Sequence, residues 1–85
     1  MAQVVLTPAA QREYKRLPTG VQERVQALLD GDFRIDPLVP QFKARKVQVP
    51  FTGYRLRLGD YRLLFDLGDD MIIVYRIRHR KDAYK

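Results

Sequence analysis

Apolar residues recur along this chain at two periods, first at every third or fourth position and later at every second. The first period predicts helices and the second predicts half-buried strands. Gln3 to Leu6 comes before both, a short β-branched apolar run that predicts an opening strand. Thr7-Pro8 marks a helix start, with an N-cap residue followed by proline in the first helical position. Ala10, Tyr14 and Leu17 form that helix's apolar stripe, and Pro18 ends it. Thr19 and Gln22 have the spacing of a capping box for a second helix. Val21, Val25, Leu28 and Leu29 are its stripe, and Asp30-Gly31 its stop. Two helices joined so tightly make an αα-hairpin with one stripe each to bury.

Asp32 to Pro40 has no period and contains two prolines, which predicts a loop anchored by Phe33, Ile35 and Leu38. Phe42 to Val49 is a weaker strand candidate, made basic by Lys43, Arg45 and Lys46, and Pro50 to Thr52 interrupts it. The alternation is strongest in the next stretch. Tyr54, Leu56 and Leu58 alternate with Arg55 and Arg57; Tyr61, Leu63, Phe65 and Leu67 alternate with Arg62, Leu64 and Asp66. Gly59-Asp60 between them predicts a two-residue hairpin turn with glycine at the first central position. Leu58 then faces Tyr61, and Arg57 faces Arg62.

Like charges directly opposed across a hairpin destabilise it, by some tenths of a kcal/mol up to about 1 kcal/mol. A chain selected only to fold would avoid the pair, whereas one that must hold a polyanion would keep it. Met71 to Ile77 is the most apolar strand, apolar on both faces up to Tyr75, which predicts a place inside the sheet. A three-residue loop of Gly68-Asp69-Asp70 sets Arg76 beside Arg62, and a slip of one residue sends it to the other face. The closing residues, His79 to Lys85, are short and highly charged. The expected fold is therefore α+β in the order β-α-α-β-β-β. Both helices cover one face of a small, mostly antiparallel sheet, and the other face carries an arginine cluster.

Eighty-five residues make a single domain, 1–85, with room for one modest core. With no cysteine and one histidine there is neither a disulfide framework nor a thiolate or histidine metal cluster, so no metal or small-molecule cofactor is expected. No apolar run approaches the roughly 20 residues of a membrane span, and no signal-peptide pattern precedes the first strand, which predicts a cytoplasmic protein without membrane contact. Charge adds more. Residues 1–41 hold five basic and five acidic side chains, and residues 42–85 hold eleven and five, so the whole formal net charge of +6 lies in the second half. Such asymmetry points to an anionic partner, nucleic acid or an acidic protein.

Three stretches together resemble the RelE/ParE superfamily of toxins from toxin–antitoxin pairs. Val4 to Pro18 is similar to the family's first strand and first helix. Tyr54 to Phe65 is similar to its central hairpin. Ile77 to Tyr84 is similar to its closing motif, a basic pair followed by an acidic residue and a tyrosine. The resemblance covers nearly the whole chain and implies a RelE-like fold. RelE-like members cleave messenger RNA on the ribosome, and ParE-like members act on DNA gyrase and lack the RNA-cleaving residues. The RelE branch implies basic residues on the hairpin, an arginine on the next strand, and an arginine and a tyrosine near the C-terminus. Those roles fall on Arg55, Arg57, Arg62, Arg80 and Tyr84, so a RelE-like endoribonuclease is expected. The family also implies a RelB-like antitoxin partner and, for this branch, the ribosome and messenger RNA.

Cleavage without a metal is attack of a ribose 2′-OH on its own phosphate, and it needs a base, an acid and cations for the developing dianion. Arginine suits the last task, being always charged and forked toward phosphate oxygens. By the resemblance, Arg62 and Arg80 stabilise the phosphate, Arg80 also lies near the leaving oxygen, and Tyr84 stacks on or orients a base. Some family members carry lysine on the hairpin. Arg55 and Arg57 stand there in this chain, and arginine is not deprotonated in proteins. His79 is then the neighbouring group able to act as general base. Lys43, Arg45, Lys46, Arg76, Arg78 and Lys81 are expected to bind RNA. Gyrase inhibition and ribosome or RNA binding without cleavage remain as alternatives.

Overall fold

Thr7 ends the first strand and starts the first helix. The computed structural model describes residues 3–38, 44–47 and 53–81. Strand β1 (Gln3–Leu6) leads into helix α1 (Pro8–Arg16). Thr7 Oγ1 accepts a hydrogen bond from the Ala10 N–H at 3.2 Å and donates to the Tyr75 carbonyl at 2.9 Å. One hydroxyl thus caps the helix and ties it to a distant strand.

Helix α2 (Thr19–Asp30) follows after Leu17-Pro18. Pro18 occupies its cap position and no side chain caps it, so the expected Thr19–Gln22 box does not form. Gln22 Nε2 donates instead to the carbonyls of Tyr14 at 2.8 Å and Lys15 at 3.3 Å. The link is so short that the last carbonyls of α1, which lack helical donors, fall within reach of Gln22. A 3-10 turn (Asp32–Arg34) follows α2 and buries Phe33 completely, its ring edge-on to Phe65 with centroids 5.0 Å apart. The other two expected anchors are exposed, Ile35 at 69% and Leu38 at 42%. At three residues per turn Ile35 lies about 120° around the axis from Phe33, so with Phe33 turned inward Ile35 faces away from the core.

Strands β2 (Arg45–Val47), β3 (Gly53–Leu58), β4 (Tyr61–Gly68) and β5 (Met71–His79) complete a five-stranded sheet in the order β1-β5-β4-β3-β2. β1 is parallel to β5, and every other neighbouring pair is antiparallel. The four strands of the expected order become five because the weak candidate forms an edge strand over Arg45–Val47; Phe42 and Lys43 lie outside the described residues. Gly53 opens β3 at φ +143°, where a Cβ would sit 2.5 Å from the Phe65 carbonyl oxygen, so glycine alone fits.

The turn between β4 and β5 is Asp69-Asp70, one residue shorter than expected, with Asp70 at φ +54°. By itself it would set Ile77 against Arg62 and Arg76 against Leu63. A bulge at Tyr75 corrects this: pairing shifts between Leu64 and Phe65 and resumes as Leu64↔Arg76, Leu63↔Ile77 and Arg62↔Arg78. Arg62 therefore faces Arg78, not Arg76. Leu56, Leu63, Phe65, Ile72, Val74 and Ile77 turn to the helices and meet Ala10, Leu17, Val25, Leu29 and Phe33 in one buried core. Among the described residues no helix is long and apolar enough to cross a membrane.

Candidate nucleic-acid interface

The face of the sheet away from the helices is built by register. Gly59 has φ +60° and Asp60 is not left-handed, the pattern of a type II′ turn. That turn pairs Leu58 with Tyr61 and hence Arg57 with Arg62, and β5 adds Arg78 to the same row. A second row runs Arg45, Arg55, Leu64, Arg76 across four strands. Leu64 in that row is buried yet stands outside the helix-side core. Arginine stems commonly cover apolar surface in this way.

Each arginine of the first row is accommodated differently. Arg62 Nη1 donates to the carbonyls of Gly59 at 3.1 Å and Tyr61 at 2.9 Å, which folds its guanidinium back over the turn. Arg57 is exposed to solvent. Arg78 Nε lies 3.3 Å from the Glu13 carboxylate of α1. The same carboxylate accepts from Arg76 Nε at 3.2 Å and Nη2 at 3.0 Å, and from the Ile77 N–H at 2.9 Å. β1 pairs with β5 only as far as Val74, so Glu13 occupies the edge that β1 leaves open. The two β5 arginines expected to bind RNA are thus ion-paired within the protein, partly shielded at 29% and 21% side-chain exposure.

The hairpin tip is a second centre of charge. The Arg80 N–H donates to the Asp60 carbonyl at 2.7 Å, and its guanidinium stands 4.0 Å from the Asp60 carboxylate, both side chains well exposed. Arg24 of α2 approaches from the helix side: a Cβ on Gly59 would lie 3.0 Å from its Nη1. The structure therefore brings Arg62 and Arg80 to one turn and sets Arg55, Arg57 and Arg45 on the adjoining open face.

His79 stands elsewhere. It pairs with Tyr61 on the helix side of the sheet, ring edge to face at 5.4 Å, and lines a cleft of about 210 Å³ with Glu13, Arg16 and Leu17. Its Nδ1 accepts from the Lys81 N–H at 3.3 Å. A neutral ring held so carries its proton on Nε2 and offers a donor; service as a base requires Lys81 to leave Nδ1. Lys46 pairs with Tyr54, away from the arginine face, and Lys81 is exposed beyond β5. Lys43 and Tyr84 lie outside the described residues. Glu13 and Arg24 were not singled out by sequence, although a signal existed. Glu13 flanks the stripe of Ala10, Tyr14 and Leu17, and Arg24 that of Val21, Val25 and Leu28. A charge partly buried beside an apolar stripe calls for a partner within the fold, which Glu13 finds in Arg76 and Arg78, whereas Arg24 is exposed.

Comparison with known proteins agrees with this architecture. A family model described as the ParE toxin of the type II toxin–antitoxin system parDE matches residues 4–84. Toxin RelE3 of Methanocaldococcus jannaschii is 25% identical over 81 residues, covering 86% of this chain and 84% of that protein. A chain in the crystal structure of the toxin–antitoxin complex RelBE2 from Mycobacterium tuberculosis superposes with a TM-score of 0.79 at 27% identity, covering 93% of this chain and 98% of its own. The archaeal RelE–RelB complex of Pyrococcus horikoshii contributes a chain with a TM-score of 0.77 at 22% identity, covering 96% and 98%, a likeness of fold.

Proposed function

The chain belongs to the ParE toxin family of type II toxin–antitoxin systems, and from that premise we propose that it cleaves messenger RNA on the ribosome and is silenced by a cognate antitoxin. The observation that carries this is the row of Arg57, Arg62 and Arg78, opposed across three strands where folding alone disfavours them. In the proposed reaction a ribose 2′-oxygen bonds to the adjacent phosphorus and the bond to the 5′-oxygen breaks. A 2′,3′-cyclic phosphate and a 5′-hydroxyl end result. Arg57 and Arg62 neutralise the dianion that forms between these steps, and Arg80 stands beside the departing oxygen. The 2′-OH proton passes to solvent and the departing 5′-oxygen takes one from solvent, since His79 is turned to the helix side of the sheet. Rate then comes chiefly from fixed charge and from orientation of the substrate by the ribosome, with little from a strong base.

The test is cleavage of a defined messenger RNA by the purified protein, with and without programmed ribosomes. Cutting should require ribosomes, and Arg62→Ala and Arg80→Ala should each lower the rate by about 10²–10³, the usual effect of removing one preorganised donor. Unchanged cutting in both variants would remove the assignment. Inhibition of DNA gyrase is the competing activity, favoured by the match to a ParE model. Arrested supercoiling by folded protein that leaves ribosome-bound messages intact would establish it instead.

A further inference from the structure

Three guanidinium groups converge on one two-residue turn, and they arrive from different sides. Arg62 comes from the open face and is fixed to the Gly59 and Tyr61 carbonyls. Arg80 comes from the end of β5 and is fixed to the Asp60 carbonyl through its own N–H. Arg24 comes from α2, its Nη1 beside the bare Cα of Gly59. The carboxylate among them is Asp60, which is well exposed and 4.0 Å from Arg80. Among the described residues Arg24 has no hydrogen-bond or ion-pair partner; it is exposed, so the core does not require it. A left-handed position such as Gly59 tolerates asparagine or aspartate in ordinary turns. Here their Cβ would lie 3.0 Å from Arg24 Nη1, so the guanidinium would have to give way by a few tenths of an ångström.

We propose that Arg24 is a phosphate-binding residue and that the turn is a seat over which successive phosphates of one single RNA strand pass, from the arginine face around the hairpin tip to α2. This rests on the RNA reading above and extends its site onto a helix. An arginine contributes here as a delocalised, weakly hydrated cation that can engage a phosphate from either edge of its fork. The experiment is fluorescence anisotropy of a short labelled single-stranded oligoribonucleotide with the full chain, repeated across a salt series. Removing one phosphate contact should flatten the slope of log affinity against log salt by about 0.7. Arg24→Ala should show that loss with an unchanged unfolding midpoint, and Arg24→Lys should restore the slope. Unchanged affinity and slope in Arg24→Ala, with a loss in Arg62→Ala, would overturn the seat while leaving the RNA site standing. Failure of the unsubstituted protein to bind, or no loss in Arg62→Ala and Arg80→Ala, would overturn both.

Discussion

Glu13 shows how much one side chain settles here. It accepts from two arginines and from a strand amide that β1 does not reach. Truncating it removes the acceptor that all three share in a partly shielded site, where an unmet donor costs about 1–3 kcal/mol. Glu13→Ala should therefore lower stability by at least about 1–3 kcal/mol in urea unfolding, and Glu13→Gln, which keeps an acceptor for the Ile77 amide, by less. A Glu13→Ala midpoint equal to the parent's would mean that other groups hold Arg76 and Arg78. Arg76 and Arg78 also mark the limit of counting charges in a sequence. Their pattern announces two cations, but a pairing across 63 positions of chain between Arg76 and Glu13 has no local trace. The same limit applies to His79: nearness to Arg78 and Arg80 in sequence put it among the arginines, whereas pairing with Tyr61 turns it to the helix side.

At the level of elements, the existence of each helix and of the central hairpin follows local period and turn chemistry, although the Thr19–Gln22 box does not form. Both helices, the Thr7 cap, the Gly59-Asp60 turn and the Arg57–Arg62 pairing all follow from spacing within a few residues. The edge strand over Arg45–Val47, only a weak candidate by its pattern, the exposure of Ile35 and the β4–β5 register depend on partners distant in the chain, and no local spacing settles them. Gly53 belongs to this scale because it lets the start of β3 lie close against the backbone of β4. Gly53→Ala combines a sparsely populated backbone conformation, worth about 1–3 kcal/mol, with a Cβ 2.5 Å from the Phe65 carbonyl oxygen. It should cost more than that range and be the least soluble of the variants named here. An unfolding midpoint within about 0.5 kcal/mol of the parent, the scatter of ordinary surface changes, would show that the strand can shift aside.

Across the whole molecule the division is between a helix side that stabilises and a sheet side that stays charged. The net charge of +6 belongs to the half of the chain that forms the sheet face and hairpin tip. If Arg24, Arg57, Arg62 and Arg80 each engage one phosphate, affinity for single-stranded RNA should fall roughly fifty-fold between about 50 and about 200 mM salt. A dependence flatter than threefold, measured by anisotropy, would leave the charged face without an RNA role. An antitoxin that silences such a face has the same charges to meet, so its contact segment should be acidic.

The extra residue in β5 decides which of these two sides is which. Before Tyr75 the even-numbered side chains, Ile72 and Val74, look inward; after it the odd-numbered Ile77 does. The strand thus changes parity halfway along its length. Were Tyr75 to pair in the regular ladder instead of bulging, the strand would keep every charge and every apolar residue, but those beyond it would exchange sides, setting Arg76 against Leu63 and Ile77 against Arg62. In this strand one unpaired residue sets the side of every residue after it.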